Sequence, residues 1–154
     1  MATTWIAIAD DDLDDYLVAA QVTALQTAAL KAAQADPFLT VMPDVIAKMR
    51  MQIASCERNQ LSSVVNSVPP SLKSTACWLI LAAMQPRLTG LKFSDEQNAQ
   101  IEEARKTMMK VAACDYLVEE PTTPVDPGVQ GGGALEIVKE TKPRVVTKAN
   151  LAGL

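Results

Sequence analysis

The feature that most constrains the fold lies at Glu119, where the character of the chain changes abruptly. Pro121, Pro124 and Pro127 come after it, and then Gly131-Gly132-Gly133. Proline has no amide donor and glycine carries a large backbone entropy, so this spacing excludes regular structure across the stretch. A core has to be built before it. Beyond it run Ala134 to Leu154, with β-branched Ile137, Val138, Val145, Val146 and Thr147, divided by Pro143 into two candidate strands. A lone hairpin is marginal in water. Such an arm either stays disordered or finds partner strands on another surface. Leu135, Ile137, Val138, Arg144, Val145 and Val146 are its candidate partner-binding residues. The expected organisation is a helical body over residues 1–118 and a Pro/Gly-rich linker with an extended arm over 119–154.

Before Glu119 the apolar residues recur at helical spacing. Trp5, Ile6 and Ile8 give a short strand-like lead-in, and Asp10 to Asp12 offer capping oxygens and negative charge to a helix start. From Leu13 to about Gln34 the chain is rich in Ala, Leu and Gln, with a stripe at Leu17, Leu25 and Leu30 and a break expected at Val22-Thr23. Asp36-Pro37 is a start signal. Pro43-Asp44 is read as the true start of the long helix, with residues 37–41 as a turn. Val45, Ile46, Met49, Ile53 and Cys56 then repeat on one face. Residues 59–67 are polar and read as a loop. Pro69-Pro70 opens a helix that is apolar nearly all round from Ala76 to Met84, so it should be the most buried; Pro86 and Thr89-Gly90 close it. Ser94-Asp95-Glu96-Gln97 is a capping box. The helix after it carries Ile101, Ala104, Met108, Val111 and Ala112 inward and Glu102, Glu103, Arg105, Lys106 and Lys110 outward, fading near Tyr116 to Val118. The expected fold class is mainly α: a small bundle of four to five helices with a C-terminal arm expected to form β-strands with a neighbouring subunit.

Composition narrows the chemistry. The 154 residues are 49% hydrophobic, enough for one real core, and contain no histidine. That removes His-dependent triads, the usual catalytic zinc sites and imidazole proton shuttles. A formal net charge of -4 argues against broad nucleic-acid binding, and two each of Trp, Tyr and Phe are too few for base-stacking platforms. Cys56, Cys77 and Cys114 form no CxxC pair; each falls in a stretch read as helical and is expected to be a small buried side chain in a reducing compartment. Read as a calcium loop, Asp10 to Asp15 fails where glycine is needed, at Asp15, and where a closing Glu is needed, at Gln21. The triple glycine has no GK[ST] after it, so it reads as a hinge rather than a phosphate loop. No cofactor or metal is expected. The N-terminus has no basic segment ahead of an apolar one, and Ala76 to Met84 is too short to span a membrane; both favour a soluble cytoplasmic protein.

The layout carries a resemblance. It rests on Trp5-Ile6-Ala7-Ile8 before Asp10 to Asp15, on Ala24-Leu25-Gln26-Thr27-Ala28-Ala29-Leu30 running into Asp36-Pro37, and on Val45-Ile46-Ala47-Lys48-Met49-Arg50 with Ile53-Ala54-Ser55-Cys56. Val68-Pro69-Pro70-Ser71-Leu72, Cys114-Asp115-Tyr116 and Glu119-Glu120-Pro121 complete it. In these segments the chain resembles the head–tail connector (adaptor, or head-completion) proteins of long-tailed bacteriophages, including the small virion-region proteins of Mu-like prophages. The resemblance implies a structural virion protein and not an enzyme. Such a subunit forms a ring, usually dodecameric, that binds the portal protein, extends the DNA channel and offers a surface to the tail or to a stopper or terminator protein. It would sit in the neck of the virion after assembly in the bacterial host cytoplasm, with DNA passing through without specific binding and no membrane involved. Asp10, Asp11, Asp12, Asp14 and Asp15 would then be candidate channel-facing acids, since negative charge discourages phosphates from adhering. The competing expectation is a small acidic helical regulator or inhibitor that binds a protein partner.

Overall fold

The computed structural model describes residues 2–22, 24, 37–87 and 92–125. Its described part is mainly helical, with one two-stranded sheet. Strand β1 (Ile6–Ala7) pairs antiparallel with β2 (Ser67–Val68), Ile6 opposite Val68 and Ala7 opposite Ser67. The helices are α1 (Asp11–Asp14), α2 (Pro37–Ala54), α3 (Lys73–Met84) and α4 (Asp95–Ala112).

Helix α3 is central and packs against both α2 and α4. Its apolar character on every side is what this position requires: Ala76, Cys77, Trp78, Ile80, Leu81 and Met84 are all buried. Around it α2 contributes Phe38, Val41, Val45, Ile46, Met49 and Ile53, and α4 contributes Ile101, Ala104, Met108 and Val111. The capping box forms as expected. Gln97 N donates to Ser94 Oγ at 3.2 Å, and Ser94 N donates to Gln97 Oε1 at 3.0 Å.

Four local expectations are corrected. The helix expected from Leu13 onward is broken early: α1 is a single turn, Tyr16 N and Leu17 N close 3-residue turns on Leu13 and Asp14, and a new helical turn occupies residues 19–22. Packing overrides propensity here, because Leu13 is fully buried and Tyr16 meets Trp78 edge-on with ring centroids 5.4 Å apart. Gln21 then caps the new turn by accepting from Val18 N. The remainder of that expected helix, with Leu25 and Leu30, lies outside the described residues, as does Thr89-Gly90.

Second, α2 starts at Pro37, and Pro43 sits inside it. Pro43 removes the hydrogen bond that Leu39 O would accept. Leu39 is 64% exposed, so water can serve that carbonyl. Third, Cys56 and Cys114 are neither helical nor reduced. They lie just past the ends of α2 and α4 and are joined in a disulfide, Cα to Cα 5.2 Å. Cys77 alone is a free buried thiol.

Fourth, α4 ends at Ala112, before the expected Tyr116. The end is a Schellman turn: Asp115 N donates to Lys110 O and Cys114 N to Val111 O, with Cys114 in the left-handed region at φ 64°. Glycine is usual at that position, so Cys114 is held there against its own preference.

The chain after Glu119 does not leave the body at once. Thr3 N donates to Glu120 O, Thr122 N to Thr3 O, Ser63 N to Thr123 O and Val125 N to Leu61 O. Trp5 Nε1 donates to Glu119 O at 3.1 Å, and Ser71 Oγ to Glu119 Oε2 at 2.6 Å. Residues 119–125 thus run along the N-terminal segment and the loop before β2, on the body's own surface.

Arg50 joins these parts. From the C-terminal half of α2 its Nη1 donates to Val64 O (3.2 Å) and Ser67 O (3.1 Å), and its Nη2 to Ser62 O (2.5 Å). The guanidinium also lies over the Trp5 ring, 5.6 Å from its centroid. Burial pulls its pKa below the ordinary arginine value, but a guanidinium stays charged at any physiological pH. Arg50→Met keeps most of the stem's volume and strands three carbonyls. It should destabilise the fold by about 3 kcal/mol, read as a lower urea midpoint. Arg50→Lys should recover less than half of the loss, because one ammonium cannot span all three acceptors.

Candidate functional site

The acidic start is an ion-paired turn in which Asp10, at the N-cap position, makes no side-chain capping bond. Asp12 Oδ2 accepts from Ala9 N at 2.8 Å, and Asp12 Oδ1 meets Lys73 Nζ at 2.6 Å, so this carboxylate ties α1 to the first residue of α3. The Lys73 bond and the Ala9 amide hold its carboxyl below the usual aspartate range, and the same bond raises Lys73. Asp10, Asp11 and Asp15 are exposed, while Asp12 and Asp14 are half-buried. The five acids therefore form one charged corner, of which Asp12 is structural. Among the described residues no group of three or more His, Cys, Asp or Glu is placed to hold a metal ion.

Cys77 lies beneath this corner, and burial pushes its thiol up to about 12. It is protonated at neutral pH and is no nucleophile. Just past the ends of α2 and α4, Cys56 and Cys114 are spent on each other.

What the body does present is apolar surface. Lys48, Met51 and Gln52 on α2 and Ser55 just past its end follow the i, i+3, i+4, i+7 spacing and line an open depression of about 400 Å³. Met51 is 72% exposed there. Ser55 Oγ faces both Gln52 O and Ala112 O, which places this depression beside the C-terminal end of α4, where Met109 is also exposed. Leu39, near the start of α2, is a separate exposure. So is the pair Val64 and Val65, whose loop is turned so that the carbonyls of residues 62, 64 and 67 point at Arg50.

Of the methionines, Met49, Met84 and Met108 lie in the core, whereas Met51 and Met109 are exposed. The signal was there: Met51 lies about 175° round the helix from the middle of the Val45/Ile46/Met49/Ile53 face. The arm residues Leu135, Ile137, Val138, Arg144, Val145 and Val146 lie outside the described residues.

Compared with known protein families, curated proteins and solved structures, the chain matches none.

The Asp12–Lys73 pair fixes a pH dependence. A carboxyl lowered on folding stabilises above its ordinary value of 3.8, and that contribution disappears as pH falls through the lowered folded value. A raised lysine stabilises below 10.5 and loses that as pH climbs through the raised value. Asp12→Asn should flatten both limbs of the stability–pH curve, while Asp11→Asn should leave both in place, measured by thermal unfolding between acid and alkaline pH.

Proposed function

We propose that this chain is a structural assembly subunit, a head–tail connector protein that binds copies of itself and the portal protein in the neck of a long-tailed phage and performs no reaction of its own. The observation that carries this reading is the separation of the exposed apolar side chains on α2. Leu39 and Met51 are twelve residues apart, which places them about 120° apart around the helix and about 18 Å apart along it. A ring needs a heterologous contact, one face of a subunit meeting a different face of the next, and two separated apolar patches suit that geometry. The acidic corner at Asp10 to Asp15 suits a wall past which DNA moves without adhering. Residues 126–154, with their β-branched segments, continue directly from the strand-like track at residues 119–125 and supply the length to reach a neighbour, the portal, or a tail or stopper protein.

The test is electron microscopy and sedimentation of the purified full-length protein, with and without portal. Rings should form, and Met51→Glu and Leu39→Glu should each weaken ring formation by about tenfold or more while leaving the far-ultraviolet spectrum unchanged. Rings that persist in both variants would exclude these faces. A monomer that ignores the portal but binds a basic protein in a salt-sensitive way would favour the regulatory alternative. Deleting residues 126–154 should abolish incorporation into particles. Deleting from Glu119 should in addition lower the unfolding midpoint, because it removes the bonds to Thr3, Trp5, Leu61, Ser63 and Ser71.

A further inference from the structure

We propose that Cys56 and Cys114 form a thiol–disulfide exchange site for small thiols and disulfides of the glutathione type, whose state decides whether residues 115–125 stay docked on the body. The inference is independent of the connector reading and rests on how these two residues are placed. They close the ends of α2 and α4 onto each other across 58 positions of sequence. The pair is asymmetric: Cys56 is fully buried and Cys114 half-buried, so a small reagent reaches Cys114 first. Arg58 Nη2 donates to Cys114 O at 2.5 Å, which fixes the main chain of Cys114 beside the turn that follows α2. Cys77, inside α3 with its thiol raised to about 12, takes no part.

Closure is balanced by one small disulfide. The Cys114 thiolate attacks one of its sulfurs, that S–S bond breaks, one small thiolate leaves and a mixed disulfide remains on Cys114. The Cys56 thiolate then attacks the Cys114 sulfur and expels the second small thiolate. Two protein thiols are oxidised, one small disulfide is reduced to two thiols, and the two cysteine protons end on them. Opening reverses these steps, starting with attack by a small thiolate at Cys114.

The consequence is felt by the residues beyond Cys114. Its φ of 64° suits glycine, and the bond to Cys56 holds it there. That turn aims the chain through exposed Asp115, Tyr116 and Leu117 toward its docking track. The track consists largely of hydrogen bonds on main-chain atoms. The amides of Val118, Thr122 and Val125 donate to Asn59 Oδ1, Thr3 O and Leu61 O, and the amides of Thr3 and Ser63 donate to Glu120 O and Thr123 O. With the bond open, Cys114 is free to leave the left-handed region and the track loses its fixed origin. Segments held in this way open locally before a packed core does.

The full-length protein, equilibrated with glutathione disulfide or with dithiothreitol, tests this by thiol alkylation and amide hydrogen exchange. Two of the three thiols should be lost on oxidation. The amides of Thr3, Ser63, Val118, Thr122 and Val125 should exchange about tenfold faster in the reduced protein, while those of Ile80 and Leu81 stay unchanged. Cys114→Ser should match the reduced state in either buffer, and Cys77→Ser should match the parent in both. The wild-type comparison stands by itself if Cys114→Ser does not fold. Failure of the bond to form under glutathione disulfide overturns the proposal. So does equal exchange of the five amides in both buffers, and so does equal acceleration in α3, which would mark a general loss of stability.

Discussion

The guanidinium of Arg50 is the interaction on which the arrangement of the non-helical segments depends. Three carbonyls from residues 62, 64 and 67 converge on it, and the Trp5 ring covers one face. Trp5 in turn donates to Glu119 O. One side chain from the C-terminal half of a helix therefore fixes the loop before β2, the N-terminal segment and, at one remove, the segment after α4. Its acceptors are neutral main-chain oxygens, so the stabilisation is one of hydrogen bonds and ring contact rather than of ion pairing. A planar guanidinium holds its donors in a fixed fork, so Nη1 and Nη2 reach carbonyls that lie on different parts of the loop.

The helices around this node are ordinary in their physics and specific in their ends. α3 is buried by α2 and α4 because it has no polar face to offer water. α4 has a well-formed start, in which Gln97 serves the Ser94 amide and also bonds reciprocally with the Gln21 side chain at 2.9 Å. That amide pair draws the helical turn at residues 19–22 onto the start of α4. The same residue that caps a helix locally thus also fixes a contact between parts of the chain 76 positions apart.

Much of this was legible in the sequence, and the remainder was hidden for identifiable causes. The apolar run from Ala76 to Met84 and the Ser94/Gln97 box are local signals and mean the same thing in any context. Pro43 misled because a proline inside a helix costs little where the orphaned carbonyl faces water, and that depends on which face is exposed. The break after Asp14 depends on Leu13 and Tyr16 reaching the core, which propensity does not encode. Three cysteines without a CxxC motif carry no record of pairing, since Cys56 and Cys114 meet only after two helices have packed. The docking of residues 119–125 was equally hidden. Its prolines exclude a regular strand, but single bridges to Thr3 and Ser62 need no regular strand. Of the candidate surface, Met51 and Met109 could have been separated from the core methionines by their angle around the helix.

The bond between Cys56 and Cys114 also governs how the molecule carries load. Tension applied between the two ends of the chain runs through α2 to Cys56 and crosses directly to Cys114. The 57 residues between, which include all of α3 and α4, lie off the line of force. Roughly 200 Å of chain is thereby barred from extending, and a pull on the C-terminal segment strains a covalent link and α2 before it reaches the heart of the bundle.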